Sequence, residues 1–186
     1  VREARLSMLR RIGAPEESVL VAQTNLAITY GALGQIDRAL QLERGVYHGS
    51  LRLLGEEDGD TLVSANNYAD SLLSLNRFEE AKSVLREVIP VARRVLGEND
   101  TLPFRMRKVY AEALYEDPAA TLDDLREAVT TLEDTARIAR RIFGGSHPLV
   151  NSMETCLQDS RAALAAREGG VESIRDAVEA MTPGDA

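Results

Sequence analysis

Residues 61–97, TLVSANNYADSLLSLNRFEEAKSVLREVIPVARRVLG, read as two amphipathic helices joined by a tight turn. Apolar residues at Leu62, Ala65, Tyr68, Ala69, Leu72 and Leu73 have the spacing of one helix face. Asn76-Arg77 interrupts that stripe. A second stripe then runs through Phe78, Ala81, Val84, Leu85, Val88, Ile89, Ala92, Val95 and Leu96, roughly five turns of helix. Pro90 lies inside it and predicts a bend, with a full break as the alternative. Gly97 is expected to end the helix in the left-handed cap conformation, and Glu98-Asn99-Asp100 to cap the next one.

The same landmarks recur on both sides of this stretch. Gly13, Gly55 and Gly97 share one step of 42 residues, as do Asn25-Leu26-Ala27, Asn67-Tyr68-Ala69 and Val109-Tyr110-Ala111. Arg10-Arg11-Ile12, Arg52-Leu53-Leu54 and Arg94-Val95-Leu96 precede the glycines. Positive charge there suits a helix C-terminus. A fourth copy, Arg140-Arg141-Ile142-Phe143-Gly144, comes 47 residues after Gly97. Ala81 and Ala128 each lie 16 residues before their glycine, so the extra residues fall between Tyr115 and Ala128. Glu116-Asp117-Pro118-Ala119-Ala120-Thr121 then reads as an enlarged loop.

The resulting map has a leading helix over about Arg2–Ile12. Helix pairs follow at about Glu17–Leu33 with Ile36–Leu54, Asp60–Leu75 with Phe78–Leu96, and Leu102–Tyr115 with Leu122–Phe143. A last first-type helix covers about Pro148–Arg167. Gly169-Gly170 is read as a break, Val171–Met181 as a short closing helix, and 183–186 as a frayed tail. Residues 1–182 are thus expected to form a single repeat domain: a leading helix at 1–13, repeats at about 17–55, 60–97 and 102–144, and a degenerate cap at 147–182. No unit can bury its stripes alone, so stacked units must bury them against one another.

Composition narrows the function. Of the 186 residues 44% are hydrophobic, so a core can form, but only 4% are aromatic and Trp is absent. The interior must therefore be filled by Leu, Val, Ile and Ala. A net charge of -8 argues against nucleic acid, whose phosphates need a cationic surface, and against anionic membranes. No apolar run approaches the roughly 20 residues that span a bilayer. Cys156 stands alone, which excludes an internal disulfide and favours a reducing setting, intracellular and cytoplasmic. The N-terminus VREARLSMLRRIG lacks a signal-peptide core, and the chain opens on Val1 rather than Met, as a fragment or processed piece would.

Sites for chemistry are sparse. There is no P-loop, dinucleotide fingerprint or HExxH pattern. His48, His147 and Cys156 cannot assemble a metal cluster, so no metal or cofactor is expected. His147 reads as a cap or turn residue and Cys156 as a small buried hydrophobe. Glu56-Glu57-Asp58-Gly59-Asp60 fails as a calcium loop, because the twelfth position from Asp58 is Ala69. It reads instead as an acidic linker capping the next helix. No enzyme is expected.

The pattern Asn66-Asn67-Tyr68-Ala69, Leu72, Asn76, Phe78-Glu79-Glu80-Ala81 and Leu96-Gly97 resembles the tetratricopeptide repeat, in the 42-residue form of kinesin light chains. Asn25-Leu26-Ala27, Tyr30, Gly34, Ile36, Ala39 and Leu54-Gly55 follow it too. Gly144-Gly145-Ser146-His147-Pro148 is similar to the family's linker. Lys108-Val109 and Thr155-Cys156-Leu157-Gln158 depart from the pattern. The resemblance implies an all-α fold, a right-handed α-solenoid of antiparallel helix pairs. It also implies a scaffold that holds a protein or peptide partner in a concave groove, adaptor-like as in kinesin light chains. The alternative is a structural subunit packed within a larger assembly. Groove positions implied by the resemblance are Asn25, Asn66, Asn67 and Asp70, followed on the next helix by Arg105, Lys108, Glu112 and Tyr115. An Asn amide can donate to and accept from a peptide backbone at once, and Arg105 with Lys108 offers a basic spot for a carboxylate.

Overall fold

The fold is described from a computed structural model, which covers residues 1–97 and 99–181, apart from the side chains of 172 and 174–181. The expected tail at 183–186 lies outside them. Among the described residues there are eight helices and no strand: α1 (Arg2–Arg11), α2 (Glu16–Ala32), α3 (Ile36–Leu54), α4 (Gly59–Ser74), α5 (Phe78–Leu96), α6 (Thr101–Tyr115), α7 (Leu122–Phe143) and α8 (Pro148–Met181). The described residues are all-α, arranged as successive helix pairs. It divides into two compact units, Val1–Ala113 and the remainder from Leu114.

In the first unit α1 packs on α2, α2 on α3, α3 on α4 and α4 on α5. Its core begins with Leu6, Ala22 and Leu26, against which Leu9, Val19, Tyr30 and Leu42 pack. It continues through Leu62, Ala65, Ala69, Leu72, Ala81, Leu85 and Ala92, none of which reaches solvent. The recurring alanines are all buried: Ala27, Ala69 and Ala111 in the first helices, Ala39, Ala81 and Ala128 in the second. Closer still is Gly49, where an added Cβ would lie 2.6 Å from Leu20 Cδ2 on α2.

Turn chemistry explains the helix ends. Gly34 and Asn76 fill the same repeat position at φ 70° and 57°. Asn tolerates that region better than other residues with a Cβ, which is why it can replace Gly there. The glycines ending the second helices behave differently from the expected left-handed cap. Gly55 (φ 90°, ψ 173°), Gly97 (φ 80°, ψ 177°) and Gly144 (φ 86°, ψ 154°) are extended with positive φ, a region essentially closed to residues with a Cβ. Asp58 caps α4 by accepting from the amides of Asp60 and Thr61, and Asp100 accepts from that of Leu102 at 2.7 Å. His147 caps α8, its Nδ1 accepting from the amide of Leu149. Pro90 does not break α5, which runs on to Leu96. The terminal arginines pair with acids on neighbouring segments: Arg52 with Glu16, Arg94 with Glu57 and Arg140 with Glu154. Exposed pairs of this kind contribute at most about 1 kcal/mol each.

The second unit holds one departure from expectation, at Gly169-Gly170. The link inside the third pair lengthens from three residues to six, but α7 also grows to 22 residues where α5 has 19. The insertion is therefore shared between loop and helix. Thr121 closes it with a capping box to Asp124. Gly169-Gly170, expected as a break, lies inside a continuous α8. Glycine costs about 1 kcal/mol in a helix relative to Ala but keeps its N–H, so the ladder can pass through. That turn is also held from outside. Arg126 Nη2 bonds Glu168 at 3.0 Å, and Arg167 donates to the carbonyls of Ala120 and Pro118. Arg167→Ala is expected to cost about 1.5–3 kcal/mol, the range for hydrogen bonds that involve a charged group. It should also speed amide exchange in the 117–121 loop. Unchanged exchange there would show that the loop holds itself.

Candidate functional site

The first unit contains a cleft of about 640 Å³, reached from α1, α2, α3 and α4. Its position follows from the repeat. A step of 42 residues carries Val21 onto Val63 and Asn25 onto Asn67, so α2 and α4 present the same apolar–amide pair side by side. Ile28 extends the row on α2. Val21, Ile28 and Val63 are 55%, 55% and 44% exposed, although they stand in helices that bury other apolar residues. On α2, Leu20, Ala22, Leu26 and Ala27 turn inward and Val21 and Ile28 outward, so the helix is apolar on two faces.

The two amides differ. Asn25 donates from Nδ2 to the carbonyl of Val21 at 2.9 Å, which uses part of its capacity. Asn67 is half-buried and makes no side-chain hydrogen bond among the described residues. The charges around the cleft are mostly negative: Glu17, Glu43, Asp58 and Asp60 against Arg5. Glu43 comes from the middle of α3. It is half-buried beside Ser71 of α4, and its Oε2 is buried without a hydrogen-bond partner. Burial raises its pKa above 4.5 and the nearby Asp70 adds to the rise, while Ser71 opposes it.

Sequence reasoning missed Val21, Ile28, Val63 and Glu43. Extending the Asn25–Asn67 stripe by four residues toward the N-terminus and three toward the C-terminus would have reached the three apolar residues. Glu43 lies on a second helix, outside the face that the resemblance marks.

The eight expected residues separate. Asn25 and Asn67 line the cleft together. Asn66 does not. It is 4% exposed and its Oδ1 has no hydrogen-bond partner, because adjacent helical residues point about 100° apart and Asn67 holds the outward position. Asp70, Arg105, Lys108 and Glu112 form a second group on α4 and α6. Burial and Glu112 raise the Asp70 carboxyl, while Lys108 and Arg105 pull it down. Asp70 is nonetheless exposed to solvent. Lys108 Nζ bonds Glu112 Oε1 at 2.6 Å, so the expected basic spot is largely neutralised within α6 itself. Tyr115 is half-buried and belongs to the second unit. Cys156 is buried, and no group of three metal-ligating side chains occurs among the described residues. No helix among them is long and apolar enough to cross a membrane.

Glu43→Gln is expected to stabilise the chain at neutral pH by about 1 kcal/mol, since it removes a poorly satisfied buried charge. A raised carboxyl binds its proton more tightly in the folded state, so wild-type stability falls as pH rises from about 4.5 through the folded value. The gain should therefore grow as pH rises above about 4.5 and vanish in acid. Urea unfolding of both proteins across that range measures it, and a destabilised variant at neutral pH would contradict it.

The tetratricopeptide repeat family profile matches residues 19–60 and 61–101. No curated protein matches the sequence. Among solved structures, the chain is similar to a protein from Podosopora anserina described as a kinesin light chain with nearly identical TPR-like repeats. A single-substitution form of that protein shares 22% identity over 94% of this chain and 81% of that one, with a TM-score of 0.75. A second structure of it gives 22% identity, 99% and 86% coverage and a TM-score of 0.72. BtubC (BKLC) from P. vanneervenii gives 17% identity over 93% of this chain and 69% of that one, with a TM-score of 0.62. Residues 19–101 thus carry two tetratricopeptide repeats, and the fold of the chain is similar to that of kinesin-light-chain-like repeat structures.

Proposed function

We propose that this chain, a protein-interaction scaffold, holds an extended peptide segment of a partner along the first helices of its repeats, without catalysing a reaction. The observation that carries the reading is the matched pair of Val21–Asn25 and Val63–Asn67 on neighbouring helices, opening on a cleft of about 640 Å³. The amides can bond a peptide backbone whatever its sequence, and the apolar residues between them can take a side chain. An adaptor is the specific form such a scaffold would take, with Asp70, Arg105, Lys108 and Glu112 as a further, mixed-charge stretch of the same face. A subunit packed inside an assembly would instead expose apolar patches on its second helices. There the exposed apolar residues, Leu51, Leu53 and Val95, are few and only 37–44% exposed.

The test is selection from a random peptide display library against the wild-type chain and an Asn25→Ala, Asn67→Ala double variant. Wild type should enrich a family of peptides, and the double variant should bind them about tenfold more weakly, as two lost hydrogen bonds of about 0.7 kcal/mol each imply. Peptides that bind both proteins equally would move the site elsewhere, and no enrichment at all would remove the peptide-scaffold reading.

A further inference from the structure

We infer that the α2–α4 cleft selects a peptide segment carrying an apolar side chain next to a lysine or arginine. This rests on the peptide-scaffold reading above and adds the chemistry of the ligand.

The apolar half of the inference comes from Val21, Ile28 and Val63. Val21 and Ile28 stand two turns apart on one helix face, roughly 10 Å, with Val63 across from Val21 on α4. That span fits one or two side chains of Leu or Met size. Burying them would remove from water the apolar surface that the helices now expose.

The cationic half turns on Glu43. Glu17 and Asp60 stand in the first turns of α2 and α4, and Asp58 is the α4 cap, so the helix dipole alone gives each a reason to be acidic. Glu43 has no such reason. It sits in mid-helix on α3, half out of water beside Ser71, with one carboxylate oxygen buried and without a hydrogen-bond partner. A carboxylate kept there at a cost to folding matches a site whose ligand supplies the missing donors. Glu17 and Asp60 form no ion pair among the described residues, so four carboxylates face the single guanidinium of Arg5 across the cleft. An ammonium or guanidinium complements that field, and a peptide carboxylate is repelled by it. The chain's net charge of -8 acts in the same direction on encounter.

The test uses the full chain and three labelled synthetic peptides of one length: Leu-Lys at the centre, Leu-Glu in its place, and Ser-Lys in its place. Fluorescence anisotropy at near-physiological salt should show the Leu-Lys peptide binding at least about tenfold tighter than either of the others. Glu43→Gln should weaken the Leu-Lys peptide about tenfold while raising the midpoint of thermal unfolding, a combination that a folding defect cannot give. Val63→Ser should weaken Leu-Lys but leave Ser-Lys unchanged. The inference is overturned if Leu-Glu binds as well as Leu-Lys, or if Glu43→Gln has no effect on binding. It is also overturned if sedimentation shows a second copy of the chain in the cleft. Should the display library yield peptides that depend on Asn25 and Asn67 but carry no cation, the scaffold reading stands and this one fails. Should it yield none, both fail.

Discussion

Leu72→Ala is expected to destabilise the first unit by about 3 kcal/mol, in the middle of the range for fully buried leucines. Leu72 has no exposed surface and sits on α4, which packs against α3 on one side and α5 on the other. Two rigid neighbours leave little freedom for the site to collapse, so the cavity remains and adds to the lost transfer energy. Val63→Ala on the same helix is the control, because Val63 is 44% exposed on the cleft and its loss should cost under about 1 kcal/mol. Denaturant unfolding followed by far-ultraviolet circular dichroism reads both. In a stack of repeats each interface supports the next, so the loss at Leu72 should lower the midpoint of the whole first unit and not melt α4 alone. A cost at Leu72 no larger than that at Val63 would show that α4 is not the central element of this core.

Ala69→Leu tests the opposite failure and should cost about 3 kcal/mol through overpacking. Ala69 has no exposed surface, and its repeat counterparts Ala27 and Ala111 are equally enclosed. The recurrence of alanine at one position in three helices marks a place where neighbouring helices approach too closely for more than a methyl group. The added side chain must either push α4 from its neighbours or leave its favoured rotamers, and each route is expensive in an interior packed at crystal-like density. Ala69→Gly is the companion variant. It should cost about 1 kcal/mol, the helix-propensity difference, without steric strain. If Leu were tolerated as well as Gly, the helices would have to stand further apart than the buried alanines indicate.

The two predictions rest on parts of the fold that were legible in different degrees. The alanines at 27, 69 and 111 could be read from periodicity alone, because a helix repeats its contacts every three to four residues and the chain repeats its helices every 42. The helix ends were legible too, since Gly, Asn and Asp act on their own backbone within a few residues. The backbone angles of Gly55, Gly97 and Gly144 were not: sequence marks a residue with freedom at φ, but the direction of the following chain sets ψ. Gly169-Gly170 misled for a similar reason. Intrinsic propensity argues for a stop, while the contacts of Arg167 and Glu168 with the loop and α7 hold the turn in place.

The candidate site divides along the same line. The sequence by itself determined that the chain is built from capped helix pairs at a repeating step, and that Asn25 and Asn67 occupy equivalent positions. Both follow from interactions a few residues long, repeated in register. Only the tertiary structure decided that Asn66 is buried beside an outward Asn67, that Lys108 is occupied by Glu112, and that Val21, Ile28 and Val63 open on a cleft which Glu43 enters from another helix. Which face of a helix meets solvent depends on what packs beside it, and the partners that surround Glu43 come from residues as distant in sequence as Ser71.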